Sequence, residues 1–226
     1  MKKIRLSIIV NIIIFLFVLF GLICMFFDIH FMSDNQMLSA DKIEMFKFFT
    51  VDSNILMGIA SLFYCFDARN VLWGNKNKNS HFVSLLKLMG TVGVSLTFLV
   101  TAFFLVPTSQ YPFWFFYQNS NLFFHFIVPV LSVVSLIFFE RKHSFRFFDT
   151  FLGILPIFIY SIFYIINVFL HIQNGNVSFQ YDFYGFLRGG LNTIGFVIMI
   201  VYFISYFMSF VFYFINKSHY THGLRS

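Results

Sequence analysis

The residues from Asn119 to Glu140, Asn-Ser-Asn-Leu-Phe-Phe-His-Phe-Ile-Val-Pro-Val-Leu-Ser-Val-Val-Ser-Leu-Ile-Phe-Phe-Glu, form an apolar run long enough to cross a bilayer, which takes about 20 residues of helix. Apart from Glu140 at its end, His125 is the one ionisable side chain inside it. An imidazole in hydrocarbon needs a hydrogen-bond partner or water, because an unpaired polar group there costs roughly 2 to 7 kcal/mol. A helix carrying it therefore needs polar neighbours, and an ionisable residue at that depth marks a candidate functional site. Gln118, Asn121, His125 and Ser132 recur at i, i+3, i+7 and i+14, a spacing that predicts one face turned away from lipid.

The rest of the chain is of the same kind. Of its 226 residues 59% are hydrophobic and only 11% charged, with a mean hydropathy of +0.81, which excludes a soluble domain and points to a polytopic membrane protein. The 39 phenylalanines suit gap filling between helices and contact with lipid, and no function is read from them. A net charge of +6 in a soluble protein would raise nucleic-acid binding, but here the basic residues sit in short segments beside apolar spans, where they set topology. The basic head Met1-Lys2-Lys3-Ile4-Arg5 is followed by an apolar run to Phe27 that is too long for a signal peptide and lacks an Ala-x-Ala-like site, so an uncleaved first span is expected.

Six segments pass the length test, at roughly 6–27, 47–66, 84–106, 119–139, 149–172 and 191–215. They predict an all-α fold: a single six-helix membrane domain spanning residues 1–226. Lys2, Lys3, Arg5, Arg69, Lys76, Lys78, Arg141, Lys142, Arg146, Lys217 and Arg225 fall on one side of the membrane, against Lys42, Lys47 and Arg188 on the other. By the positive-inside rule both termini are cytoplasmic and the loops at roughly 28–46, 107–118 and 173–190 face outward. Cys24 and Cys65 then lie at opposite faces, too far apart to bridge.

Several spans carry polar stripes: Ser84, Thr91 and Ser95 on the third, Tyr160, Tyr164, Asn167 and His171 on the fifth, Tyr202, Tyr206, Ser209 and Tyr213 on the sixth. Such stripes predict a hydrogen-bonded interior or simple interhelical glue, each bond worth about 0.6 kcal/mol. Pro129 and Pro156 each remove a helix hydrogen bond and predict kinks, the first one turn beyond His125. Gly189-Gly190 opens the sixth span and allows close backbone approach.

A second polar cluster, Lys47-Phe48-Phe49-Thr50-Val51-Asp52-Ser53-Asn54, heads span two. Spans two and four run in the same direction, so at 1.5 Å per residue Thr50 and His125 fall roughly 6 and 9 Å below the outer edge, at depths that let them meet. Thr50 and Asn54 share a face while Asp52 points elsewhere. A threonine hydroxyl becomes a nucleophile only beside a base that a third group orients. His125 is the candidate base, and Asp52, Asp182 and His171 are equal candidates for the orienting group. Asn121 is expected to line the same cavity, with Tyr164 or His171 closing a third side. The plainer alternative is that Thr50 caps span two and Asp52 complements its dipole.

Lys47-Phe48-Phe49-Thr50 at the head of span two, with Asn121-Leu122-Phe123-Phe124-His125 and Ile-Val-Pro in span four, resembles the androgen-induced and androgen-dependent TFPI-regulating family and its bacterial six-span relatives. The resemblance follows the span order over most of the chain. It implies six membrane helices and, as in the animal members, hydrolysis of fatty acid esters of hydroxy fatty acids by an intramembrane threonine and histidine, here Thr50 and His125. The residues after Thr50 and the loop from Gln173 to Arg188 depart from the family's wording.

The expectation is thus a plasma-membrane protein with a polar pocket between spans two, four and five, acting as a threonine-dependent lipid ester hydrolase. It needs no cofactor or metal, and its partners are membrane lipids and a lipid ester. The competing reading is a non-enzymatic carrier or lipid-binding protein, whose His125, His171, Asp52 and Arg188 bind an anionic head group or relay protons.

Overall fold

The computed structural model describes residues 2–34, 42–76, 79–140, 145–173, 177–178, 180–186 and 191–223, apart from the side chains of 191–192 and 218–223. Six helices are long and apolar enough to cross a membrane: α1 (Lys2–Phe26), α2 (Phe49–Leu72), α3 (His81–Thr108), α4 (Ser120–Phe139), α5 (Asp149–Leu170) and α6, whose apolar stretch is Thr193–Lys217 within Leu191–Gly223. Two short 3-10 helices, Lys42–Lys47 and Phe113–Tyr117, precede α2 and α4. No strand occurs among the described residues. Lys78, Arg141, Lys142, Arg188, Gly189, Gly190 and Arg225, used above for topology and turns, lie outside those residues.

The first helix shows how an apolar span chooses its inner face. Its buried residues are Ser7, Asn11, Ile14, Val18, Gly21, Cys24 and Met25, a stripe at helical spacing, while Ile9, Leu16 and Phe20 on the other faces are exposed. Small residues on that stripe let backbones close: a Cβ at Gly21 would stand 2.7 Å from the Phe124 ring, and one at Gly90 of α3 would stand 3.0 Å from Cα of Met57 in α2. Helices α2 and α3 form the centre, with 56% and 50% of their apolar stretches buried, whereas α5 and α6 line the edge at 22% and 17%. Cys24 and Cys65 are both free.

Two local features depart from expectation. Helix α2 begins at Phe49 with an extended Phe48 as its N-cap, and it continues to Leu72. Thr50 is therefore inside the first turn and does not cap it. The orphan N–H of Phe49 is satisfied from outside, donating to the Tyr184 hydroxyl at 2.9 Å. The second feature concerns proline. Both Val-Pro pairs, Val106-Pro107 and Val128-Pro129, follow a π turn, Thr101–Leu105 in α3 and Phe123–Ile127 in α4. A proline ring clashes with the carbonyl four residues earlier, and widening the preceding turn by one residue moves that carbonyl aside. Pro156 sits in the first turn of a helix restarted after Gly153 and Ile154, where its missing N–H costs nothing.

Candidate functional site

A cleft with about 850 Å³ of empty volume, counting its open mouth, lies between α2, α3, α5 and α6. Its wall is formed by Phe49 and Thr50 of α2, by Leu96, Thr97, Val100, Thr101, Phe104 and Leu105 of α3, by Ile157, Tyr160, Ser161 and Tyr164 of α5, and by Ile198, Val201 and Tyr202 of α6. Tyr184 and Phe186, from the segment between α5 and α6, close one end. The polar tips around the wall are mostly used by the protein itself. Tyr160 donates to the Lys47 carbonyl, Tyr164 to a carboxylate oxygen of Asp182, and Ser161 and Tyr202 bond each other. Ring faces and aliphatic groups are left toward the cleft, a surface suited to a hydrocarbon chain.

Thr50 is buried and stands on this wall. No hydrogen bond of its hydroxyl occurs among the described residues. Its backbone carbonyl accepts from Asn54 Nδ2 at 2.7 Å, and the same nitrogen donates to the Phe124 carbonyl of α4 at 3.2 Å. The second bond has a cause in the sequence. In the π turn Val128 N–H returns to Phe123 O, five residues back, and the next donor in that series would be residue 129, a proline with no N–H. The carbonyl of Phe124 is thereby left for Asn54.

His125, beside Phe124, is wholly buried in the domain. Its Nδ1–H donates to the Phe116 carbonyl at 3.1 Å, so that in the neutral form of the ring Nε2 is the acceptor. The orienting partner is thus a backbone carbonyl from the 3-10 helix before α4. Two of the three candidates named from sequence have other partners: Asp182 accepts from Tyr164 and from Phe186 N–H, and His171 stacks on Tyr181 at 3.6 Å and donates to Asn167 O; Asp52 is half-buried. Burial pushes the Tyr184 phenol up to about 12, so it stays protonated at ordinary pH.

The structure gathers Thr50 and Tyr164 on one cleft and ties the turn of Thr50 to the turn of His125 through Asn54. His125, Asn121, Asp182 and His171 are not among the residues lining that cleft, and α3 and α6 occupy places where the sequence placed α4. On α4's side, both amide atoms of Asn121, Asn54 Oδ1, Ser95 Oγ, Ser120 Oγ and Gln118 Oε1 are buried without a hydrogen-bond partner among the described residues. Each such group costs about 1 to 3 kcal/mol if left alone, so these side chains carry polar capacity that the described residues do not use.

Sequence reasoning missed a second polar centre at the opposite end of the bundle. Lys87, omitted from the topological count of basic residues, is buried in α3 and contacts Glu140 at 3.2 Å, Asn11 Oδ1 at 2.7 Å and Ser61 Oγ at 3.4 Å. Asn11 and Ser135 in turn donate to the same Glu140 oxygen at 2.8 and 2.6 Å. The signal was present: Lys87 continues the stripe Ser84, Thr91, Ser95 at i+3, and Asn11 lies in an otherwise apolar first span. No family model, no curated protein and no solved structure matches the chain.

Proposed function

We propose that this is a six-span protein of the plasma membrane, with both termini cytoplasmic, that hydrolyses a fatty acid ester held in the cleft. The observation that carries the reading is the cleft wall itself: apolar and aromatic over nearly its whole area, bordered by four membrane helices, and holding a threonine whose hydroxyl has no hydrogen bond among the described residues. An acyl chain lies along the rings, and its ester carbonyl meets Thr50 at the head of α2. Thr50 Oγ1 attacks that carbonyl, the hydroxyl proton passes to His125 Nε2 directly or through one water, and the ester's alcohol leaves with that proton. Water then cleaves the acyl-threonine, returning the free acid and the Thr50 hydroxyl. The resemblance of the two motifs to the threonine hydrolases described above supports the same assignment.

One observation favours the competing reading of a non-enzymatic lipid-binding protein or carrier: His125 is not on the cleft wall. Labelling the purified protein with a lipid-like fluorophosphonate and mapping the adduct decides between them. An adduct on Thr50 that is lost in Thr50→Val and in His125→Ala is the expected result. Lipid binding retained in Thr50→Val, with no labelling of the wild type, would establish the carrier and end the hydrolase reading. If the pair acts as a unit, Thr50→Ala and His125→Ala together cost ester hydrolysis little more than either alone.

A further inference from the structure

Between Lys87 and Glu140 the chain has no Asp, Glu, Lys or Arg, and this stretch includes the whole connection from α3 to α4. The other two connections at the same end of the bundle do carry charge, Asp28, Asp34, Glu44 and Lys47 before α2 and Asp182 after α5. In place of charge the α3–α4 connection has Tyr111-Pro-Phe-Trp-Phe-Phe-Tyr117. Three of its rings point outward: Tyr111 is 61% exposed, Phe113 52% and Trp114 68%. They are also held in place, with Tyr111 stacked on Phe115 at 4.3 Å and Phe113 packed on Tyr117 at 4.9 Å.

An uncharged, rigid row of exposed rings at a helix end is poorly matched to water and well matched to the glycerol and headgroup layer, where Trp and Tyr bury an apolar body and keep a polar tip wet. It follows the last turns of α3, where Phe103 is 74% exposed. Phe116, alone among these rings, turns inward, 1% exposed, and its carbonyl receives the Nδ1–H of His125.

We propose that Tyr111–Tyr117 is a bilayer-interface anchor, and that by docking in the headgroup layer it holds the Phe116 carbonyl against His125 and so sets the tautomer of the buried imidazole. Phe116 is in these terms a positioning residue, acting through its peptide group. Catalytic use of that imidazole rests on the function proposed above, whereas the docking and the tautomer do not.

The chain has two tryptophans, Trp73 and Trp114, at opposite ends of the bundle, and Trp73 is 64% exposed, so Trp73→Phe leaves one interior-neutral reporter in the anchor. In phosphatidylcholine vesicles, nitroxides on the headgroup or at acyl carbon 5 are expected to remove most of the Trp114 emission, and one at carbon 12 much less. Emission untouched by lipid nitroxides and quenched by aqueous iodide would overturn the anchor. The tautomer is read by histidine ¹⁵N spectra in nanodiscs, taking the signal lost in His125→Asn. The wild type is expected in the Nδ1–H form, and Phe113→Ser/Trp114→Ser, which changes only exposed rings, is expected to shift it toward Nε2–H. An unchanged tautomer in that variant would overturn the coupling. Neither readout uses hydrolysis, so failure of the hydrolase reading leaves both standing.

Discussion

Lys87 Nζ and a Glu140 carboxylate oxygen lie 3.2 Å apart, and both side chains are 0% exposed within the domain. The pair joins α3 to the end of α4, and Asn11 brings α1 into the same knot. Two charges removed from water are held at a cost that their attraction repays only when every remaining donor is met. Here the three ammonium protons have Glu140, Asn11 and Ser61 as partners.

Removing one charge alone should therefore be severe. Lys87→Met leaves a buried carboxylate, and Glu140→Leu leaves a buried ammonium, each expected to cost about 3 to 5 kcal/mol. The double change Lys87→Met/Glu140→Leu should be closer to the wild type than either single variant. Thermal unfolding in detergent, run as a double-mutant cycle, checks this. Additive losses would show that the two side chains do not act as a pair.

Asn54 and Pro129 should be coupled in the same sense. Asn54→Leu strips the Phe124 carbonyl of its side-chain donor and should destabilise by about 1 to 3 kcal/mol. Pro129→Ala restores a backbone N–H at the position where the π turn can use it. The combination should recover part of the loss, measured by the same unfolding assay. No recovery would mean that the proline is not the reason for the open carbonyl.

Topology rests on the asymmetry of Lys and Arg between connecting segments. A reporter fused after Ser226 is expected in the cytoplasm, and one inserted near Asn174 outside the cell. Both positions lie outside the described residues, so the experiment is independent of the packing described above. A C-terminal reporter found outside would invert the map and place the cleft at the cytoplasmic leaflet.

Much of the architecture was written in one dimension. Six apolar runs of membrane length are a property of composition, and a helix is the only open-chain way to satisfy each run's backbone in lipid, so number and type of elements followed directly. Burial of Thr50, Asn54, Asn121 and His125 was legible for the same reason, since polar groups in a membrane segment turn away from lipid. What periodicity does not carry is which inner face meets which. The cleft lies between α2, α3, α5 and α6, where α5 and α6 are the least buried spans, while Gly21, Gly58 and Gly90 bring α1, α2, α3 and α4 into close contact. The partner of His125 is a backbone carbonyl from a connection, and a carbonyl has no letter of its own in a sequence. Lys87 and Glu140 are separated by more than fifty residues and read singly as a misplaced charge and a helix end. Only the folded chain brings them to one point, because a buried charge is defined by what surrounds it and not by where it falls in the order of residues.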